Sequence, residues 1–183
     1  MRSGRANGGG RPPAERRRRR ARTTPAGGVI RRRWPSERAK VRDHLLRLDR
    51  DDRLLRFGGY ASAAQITAYC DRLDWSRGLI VGYVIGSKVR SIGELKLLGA
   101  DWPRAAELAV SVERRFQNRG IGTALMRRLV LVARNRLNER IHMLCLMDNG
   151  RAVSMARRLD CTLRVAHGEA EARIEPPWPT PWT

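Results

Sequence analysis

Leu108, Val110 and Val112 alternate with Glu107, Ala109 and Ser111 along AELAVSVE (106–113), the period of two that gives a strand one apolar face. Ahead of it, GLIVGYVIG (78–86) and KVRSIGELKLLG (88–99) predict two consecutive strands joined tightly near Gly86, and DWPR (101–104) predicts a turn. In SAAQITAYCDRLD (62–74) the spacing changes to three and four, at Ala63, Ile66, Tyr69, Cys70 and Leu73, behind the N-cap residue Ser62; this predicts a helix. HLLRLDRDDRLLRFG (44–58) fits either an amphipathic helix or a strand and turn, and periodicity does not choose between them. A helix is expected from about Gly120 to Leu137, with Leu125, Leu129 and Val132 on one face. IHMLCLM (141–147) reads as a buried central strand. NGRAVSMARRLD (149–160) reads as a second helix, and CTLRVAHGEAEARIE (161–175) as a closing hairpin turning near Gly168. Strand, helix, strand, helix, strand after a run of antiparallel strands is the pattern of an α/β (α+β) layer with a mixed sheet.

The pattern is missing at both ends. Residues 1–33 are Arg, Gly and Pro with almost no bulky apolar side chain, so they are expected to be a disordered tail that cannot offset its chain entropy by burial. Residues 34–175 then form one domain, ample for a core at this length, and PPWPTPWT (176–183) is expected to be an irregular tail.

Charge follows the same division. Of the formal +20, residues 1–33 carry +11, from twelve arginines against Glu15 alone, and the remainder carries +9. The tail is thus a solvated like-charge block or a nucleic-acid tether, and nucleic acid enters the reading only through it. Interleaved aromatics and reader motifs are missing. Arginine supplies 35 of the 38 basic residues, which we read as the codon bias of a GC-rich bacterial genome. No apolar run reaches the ~18 residues of a membrane span, and the N-terminus does not resemble a signal peptide, so a cytoplasmic protein with no membrane partner is expected. Cys70, Cys145 and Cys161 are odd in number and widely spaced, and His44, His142 and His167 have no ligand-like neighbour; no metal is expected.

The candidate chemistry sits in QNRGIGTAL (117–125). A strand that ends in a basic, glycine-containing turn opening a helix presents unpaired N–H groups and a positive dipole end, which is an anion site. Gly120 and Gly122 remove the Cβ that would hold a phosphate off the main chain, and Arg114, Arg115 and Arg119 add charge. A P-loop would need a lysine, and none is present; the dinucleotide fingerprint would need a third small residue where Leu125 stands.

Gln117-Asn118-Arg119-Gly120-Ile121-Gly122 instead resembles the Q/R-x-x-G-x-G/A motif of the GNAT superfamily of N-acetyltransferases. The strand before it, the helix after it and the Asn149-x-x-Ala152 helix start occur in that family's order, over about residues 40–175. HLLRLDRDDRLLRFGG and AELAV look most like the acetyltransferase domain of bacterial protein-lysine acetyltransferases. The resemblance implies a mixed sheet of six to seven strands flanked by helices and splayed at its central strands. It implies acetyl-coenzyme A (acetyl-CoA) as acyl donor, an amine acceptor (a protein lysine or a small molecule), and a monomer or homodimer. Backbone groups of Val110, Ser111 and Val112 would meet the pantetheine arm. Gln117, Asn118, Arg119, Gly120, Ile121, Gly122, Thr123, Asn149 and Ala152 would complete the donor site. Glu107 is the candidate general base, because five residues of strand to Val112 span ~17 Å, comparable to the extended pantetheine arm. The family's usual acid, a tyrosine seven residues after the asparagine, is replaced by Ala156, so the acid is unassigned.

Overall fold

The computed structural model describes residues 27–99, 104–146, 149–158, 162–166 and 169–174. Twelve regular elements follow in order: β1 (Val29–Arg32), α1 (Arg38–Leu46), α2 (Arg50–Phe57), α3 (Ala63–Asp71), β2 (Gly78–Ile85), β3 (Lys88–Leu98), β4 (Ala105–Val112), α4 (Ile121–Asn135), β5 (Arg140–Leu146), α5 (Gly150–Arg157), β6 (Thr162–Ala166) and β7 (Glu169–Ile174). The strands form one mixed sheet in the order β1-β2-β3-β4-β5-β7-β6. Every neighbouring pair is antiparallel except β4 and β5.

Period-two patterning sends each strand's side chains to two cores. Leu79, Val81 and Tyr83 of β2 join Leu95, Leu108 and Ile141 under α4, whose Ile121, Leu125, Met126, Leu129 and Ala133 are buried, and under Ala152, Val153 and Ala156 of α5. Ile80 and Val84 point the other way, where Val41 and Leu45 of α1 and Ile66 and Cys70 of α3 cover the sheet. Asp49 resolves the ambiguity at 44–58: its side chain accepts the Asp52 N–H and starts α2, and Gly58 ends it in the left-handed region. The segment is therefore two short helices, α1 ending at Leu46 and α2 beginning at Arg50. Ser62 and Gln65 form a reciprocal capping box on α3, each half typically worth about 1 kcal/mol. The turn expected at 101–104 and the hairpin turn near Gly168 fall largely outside the described residues, as do residues 1–26 and 175–183.

The expected tail boundary at residue 33 is corrected. Val29–Arg32 pair antiparallel with β2, from Val29 opposite Val84 to Arg32 opposite Val81. Arg33, 1% exposed, donates its backbone N–H to Ile80 O (2.7 Å) and its Nη1 to Glu37 (2.9 Å). An edge strand is recruited by its neighbour's unpaired ladder groups, so it forms without the apolar content that a free-standing element needs. Deleting residues 1–26 is expected to leave the unfolding midpoint unchanged, because their composition offers little to bury. Deleting 1–33 removes the ladder and strips Glu37 of both Arg31 and Arg33. Lys40 stays within 3.8 Å of Glu37, so the lost pairs are worth about 1 kcal/mol, and the midpoint should fall by at least roughly 2–4 °C. Equal midpoints for the two truncations in a thermal melt would show that β1 adds nothing.

Candidate functional site

β4 pairs with β3 along its whole length, from Ala105 opposite Leu98 to Val112 opposite Ser91. Its pairing with β5 stops after Ala105–Arg140, Ala106–Ile141 and Glu107–His142. Beyond Glu107 the two strands diverge while β5 continues against β7, so the sheet splays and the β5-facing edge of residues 108–112 is left without a strand partner among the described residues. Unpaired ladder groups of this kind are ready to bond an extended chain.

The loop from β4 to α4 enters this opening. Asn118 (φ 57°) and Gly120 (φ 74°) are both left-handed, a conformation that glycine adopts freely and asparagine tolerates. The backbone therefore folds back and aims the helix start at the cleft. The N–H groups of Ile121, Gly122 and Thr123 lack helical acceptors, and the first bond into the helix runs from Ala124 N–H to Gly120 O (3.0 Å). At Gly122 an added Cβ would stand 2.8 Å from Met155 Sδ and 3.5 Å from Val112 Cγ2; there a bare backbone lets α4, β4 and α5 converge.

The resulting cleft measures about 400 Å³. Of the sequence-predicted donor residues, Val110, Ser111, Val112, Gln117, Asn118, Gly120, Ile121, Gly122, Thr123, Asn149 and Ala152 all line it. Arg119 does not; its guanidinium stands over the Phe116 ring at 5.9 Å. Two residues line the cleft while their side chains serve the framework. Gln117 Nε2 donates to Val112 O and to Asp52 Oδ2, each at 2.9 Å, so what it can offer a ligand is main chain. Asn149 Oδ1 accepts the Ala152 N–H (3.1 Å), an ordinary N-cap for α5.

Sequence reasoning missed the contribution of α2. Asp52, 7% exposed, ties the loop to α2 through Gln117 and to α5 through Arg151 (3.3 Å), and burial raises its carboxyl pKa. Arg114 Nε binds Asp49 at 2.6 Å. Arg151 and Arg158 bring positive charge to the cleft wall, where Arg119 had been expected to do so.

Glu113, the other carboxylate at this end, turns away from the cleft. It binds Arg47 Nε (2.8 Å), Arg90 Nη1 (3.0 Å) and His44 Nδ1 (3.4 Å). Burial pushes its pKa up, but these bonds outweigh that and pull it down to about 2. Burial lowers the His44 pKa, and the neutral ring bonds Ser111 Oγ through Nε2 (2.9 Å). The group clamps the end of β4 to α1.

At the apex of the opening a second cavity of about 340 Å³ lies on the α3 side of the sheet, and Glu107 lines it with Tyr69, Glu94, Lys96 and Ala109. Glu107 faces Lys96 across β3 and His142 across β5. Glu94 accepts from Arg56 Nη2 (2.8 Å) and from the Tyr69 hydroxyl. Burial is the main cause that drives the Tyr69 pKa well above its ordinary value. Ala156, at the family's usual acid position, is fully buried in the core under α5 and presents nothing to either cavity. Among the described residues, no cluster of potential metal ligands occurs and no helix is long and apolar enough to cross a membrane.

The model of the acetyltransferase (GNAT) family matches residues 30–160. No curated protein sequence matches the chain. Among solved structures, the GNAT domain of S. lividans PAT superposes with a TM-score of 0.70 at 18% identity, over 81% of this chain and 90% of that one. A phosphinothricin acetyltransferase from Sinorhizobium meliloti, in complex with acetyl-CoA, gives 0.64 at 12% identity, over 81% and 88%. The ribosomal-protein-S18-alanine N-acetyltransferase from Escherichia coli gives 0.62 at 14% identity, over 84% and 97%. At these identities the superpositions establish the fold.

Proposed function

The chain belongs to the GNAT acetyltransferase family, and from that premise we propose that it transfers the acetyl group of acetyl-CoA to an amine by direct attack in a ternary complex. One observation carries the reading: a single strand, β4, has an anion-accepting helix entry at its outer end and a carboxylate-lined cavity at its inner end, with an unpaired edge between them. The residues fit the donor substrate. The main chain of 118–123 with Arg151 and Arg158 suits a pyrophosphate. The open edge of Val110–Val112 suits an amide-containing arm that bonds like an added strand. Glu107, which lines the inner cavity, would take the proton of an attacking amine.

The resemblance assigns the departing thiolate's proton to a tyrosine that this chain lacks. That favours one second reading, a domain that binds the donor without turnover. A thermal-shift series with acetyl-CoA, longer acyl-CoA species and NAD, followed by acetyl transfer to an amine panel, separates the two. At 100 times the dissociation constant, acetyl-CoA is expected to stabilise the fold by ~2.7 kcal/mol, NAD by nothing measurable, and at least one amine should be acetylated. Stabilisation with no turnover on any amine supports the binding-only reading; no stabilisation defeats both.

A further inference from the structure

Arg56, near the C-terminal end of α2, is the one described residue that lines both cavities. The group that a donor cleft and an acceptor cleft share is the carbon being transferred. We propose that Arg56 is a catalytic residue whose guanidinium takes the thioester carbonyl oxygen and holds the negative charge that oxygen gains when the amine attacks. The proposal rests on the acetyl-transfer reading.

The hydrogen-bond pattern around Arg56 leaves donors for such an oxygen. The side chain is only 9% exposed. Nη2 is committed to Glu94 (2.8 Å) and Tyr69 (3.0 Å), Nε is buried without an acceptor, and Nη1 has none among the described residues. Guanidinium carries five N–H groups; Nε is sealed inside the protein, so Nη1, which faces no acceptor among the described residues, is the nitrogen left to donate to an oxygen where the two cavities meet. The group is also held still. It lies over the Phe57 and Tyr69 rings at 5.1 and 5.5 Å, which themselves meet edge to face at 5.5 Å. Its charge is secure: burial acts against it, but Tyr69, Glu94 and Glu107 more than compensate and raise the pKa. A fixed cation in a largely water-excluded site is the arrangement that stabilises a developing oxyanion without reorganising.

In the step this implies, the neutral amine nitrogen bonds to the carbonyl carbon and the π pair moves onto oxygen, facing Arg56. Glu107, directly or through a water, has already taken the proton whose loss makes that amine neutral, and the adduct nitrogen gives its own excess proton to solvent. The oxygen pair then re-forms the carbonyl, the carbon–sulfur bond breaks, and the thiolate takes one proton from Glu107 or solvent. The products are an acetamide and coenzyme A.

Isotope-edited infrared difference spectroscopy of bound [1-13C]acetyl-CoA tests this. In the wild type the carbonyl stretch should move to lower wavenumber than in solution. Removing Arg56 alone strands a buried carboxylate, so the main variant is Arg56→Met with Glu94→Gln, and Glu94→Gln alone is the control. The double variant should lose the carbonyl shift, lose 10²–10³-fold in kcat, as expected for one oxyanion donor, and bind acetyl-CoA within about threefold of wild type. The control should retain the shift. A folded double variant that keeps the shift, or a kcat within threefold of wild type, overturns the proposal. If the double variant does not fold, Arg56→Lys decides, since a purely structural role would leave both the carbonyl frequency and kcat unchanged. If wild type does not bind acetyl-CoA at all, the acetyl-transfer reading fails and the assignment of Arg56 fails with it.

Discussion

Gly122→Glu should abolish stabilisation by acetyl-CoA while Gly122→Ala weakens it. The reason is spatial before it is electrostatic. Any Cβ at 122 meets Met155 Sδ at 2.8 Å and Val112 Cγ2 at 3.5 Å, and Met155, Val112 and residue 122 all line the donor cleft. The thioether is the flexible end of its side chain, so alanine displaces it at modest cost and disturbs the cleft wall it forms. Glutamate moves it further and places a negative charge among the helix-start N–H groups that would meet a pyrophosphate, where the dipole and backbone donors favour an anion of the ligand's own sign. The full ~2.7 kcal/mol of ligand stabilisation at 100 times the dissociation constant should disappear with glutamate, while alanine lowers affinity about tenfold. The apo midpoint of the alanine variant should stay close to wild type, which separates lost binding from lost folding. A glutamate variant that still shows the wild-type thermal shift would place the phosphates elsewhere.

The glycine-containing helix start was legible in the sequence because its requirements lie within a few residues, whereas the left-handed turn at Asn118 and Gly120 was not read from it. Alternation along 106–113 likewise separates the face of Leu108 and Val110 from that of Glu107 and Ser111, and the structure divides them in that way. Asp52 and Arg56 were not legible. Asp52 reaches Gln117 across 65 positions of sequence and Arg56 reaches Glu94 across 38, and nothing in RDDRLLRF says which charges turn inward until α2 is laid against β4. Gln117 shows the converse, a motif residue whose side chain is spent on the framework while its main chain lines the cleft. β1 was missed because an edge strand draws its stability from the ladder of β2, which a reading of its own composition does not see.

Glu107→Gln should lower kcat by ~10²-fold or more and leave the acetyl-CoA dissociation constant nearly unchanged. An alkyl amine with an unperturbed pKa of ~10.4 is almost wholly protonated near neutral pH and cannot attack a thioester, so the reaction requires a proton acceptor within hydrogen-bond reach of the amine or one water away. The structure narrows the carboxylates near β4 by what each already holds. Glu113 is bound by Arg47, Arg90 and His44 and faces α1. Glu94 is taken by Arg56 and the Tyr69 hydroxyl. Asp74 Oδ1 accepts from Ser76 and from the Arg77 N–H within its own turn. The Glu107 carboxylate has no hydrogen bond or ion pair among the described residues, lines the apex cavity and lies at the last rung before the strands part, ~17 Å of strand from Val112. The isosteric amide keeps size and polarity but cannot accept the proton, so its residual rate should follow the free-amine fraction and rise about tenfold per pH unit below the acceptor's pKa, more steeply than wild type. Steady-state kinetics across pH 6 to 9 with a saturating donor measure both effects. A variant with wild-type kcat over that range would make Glu107 a structural residue and leave deprotonation to solvent.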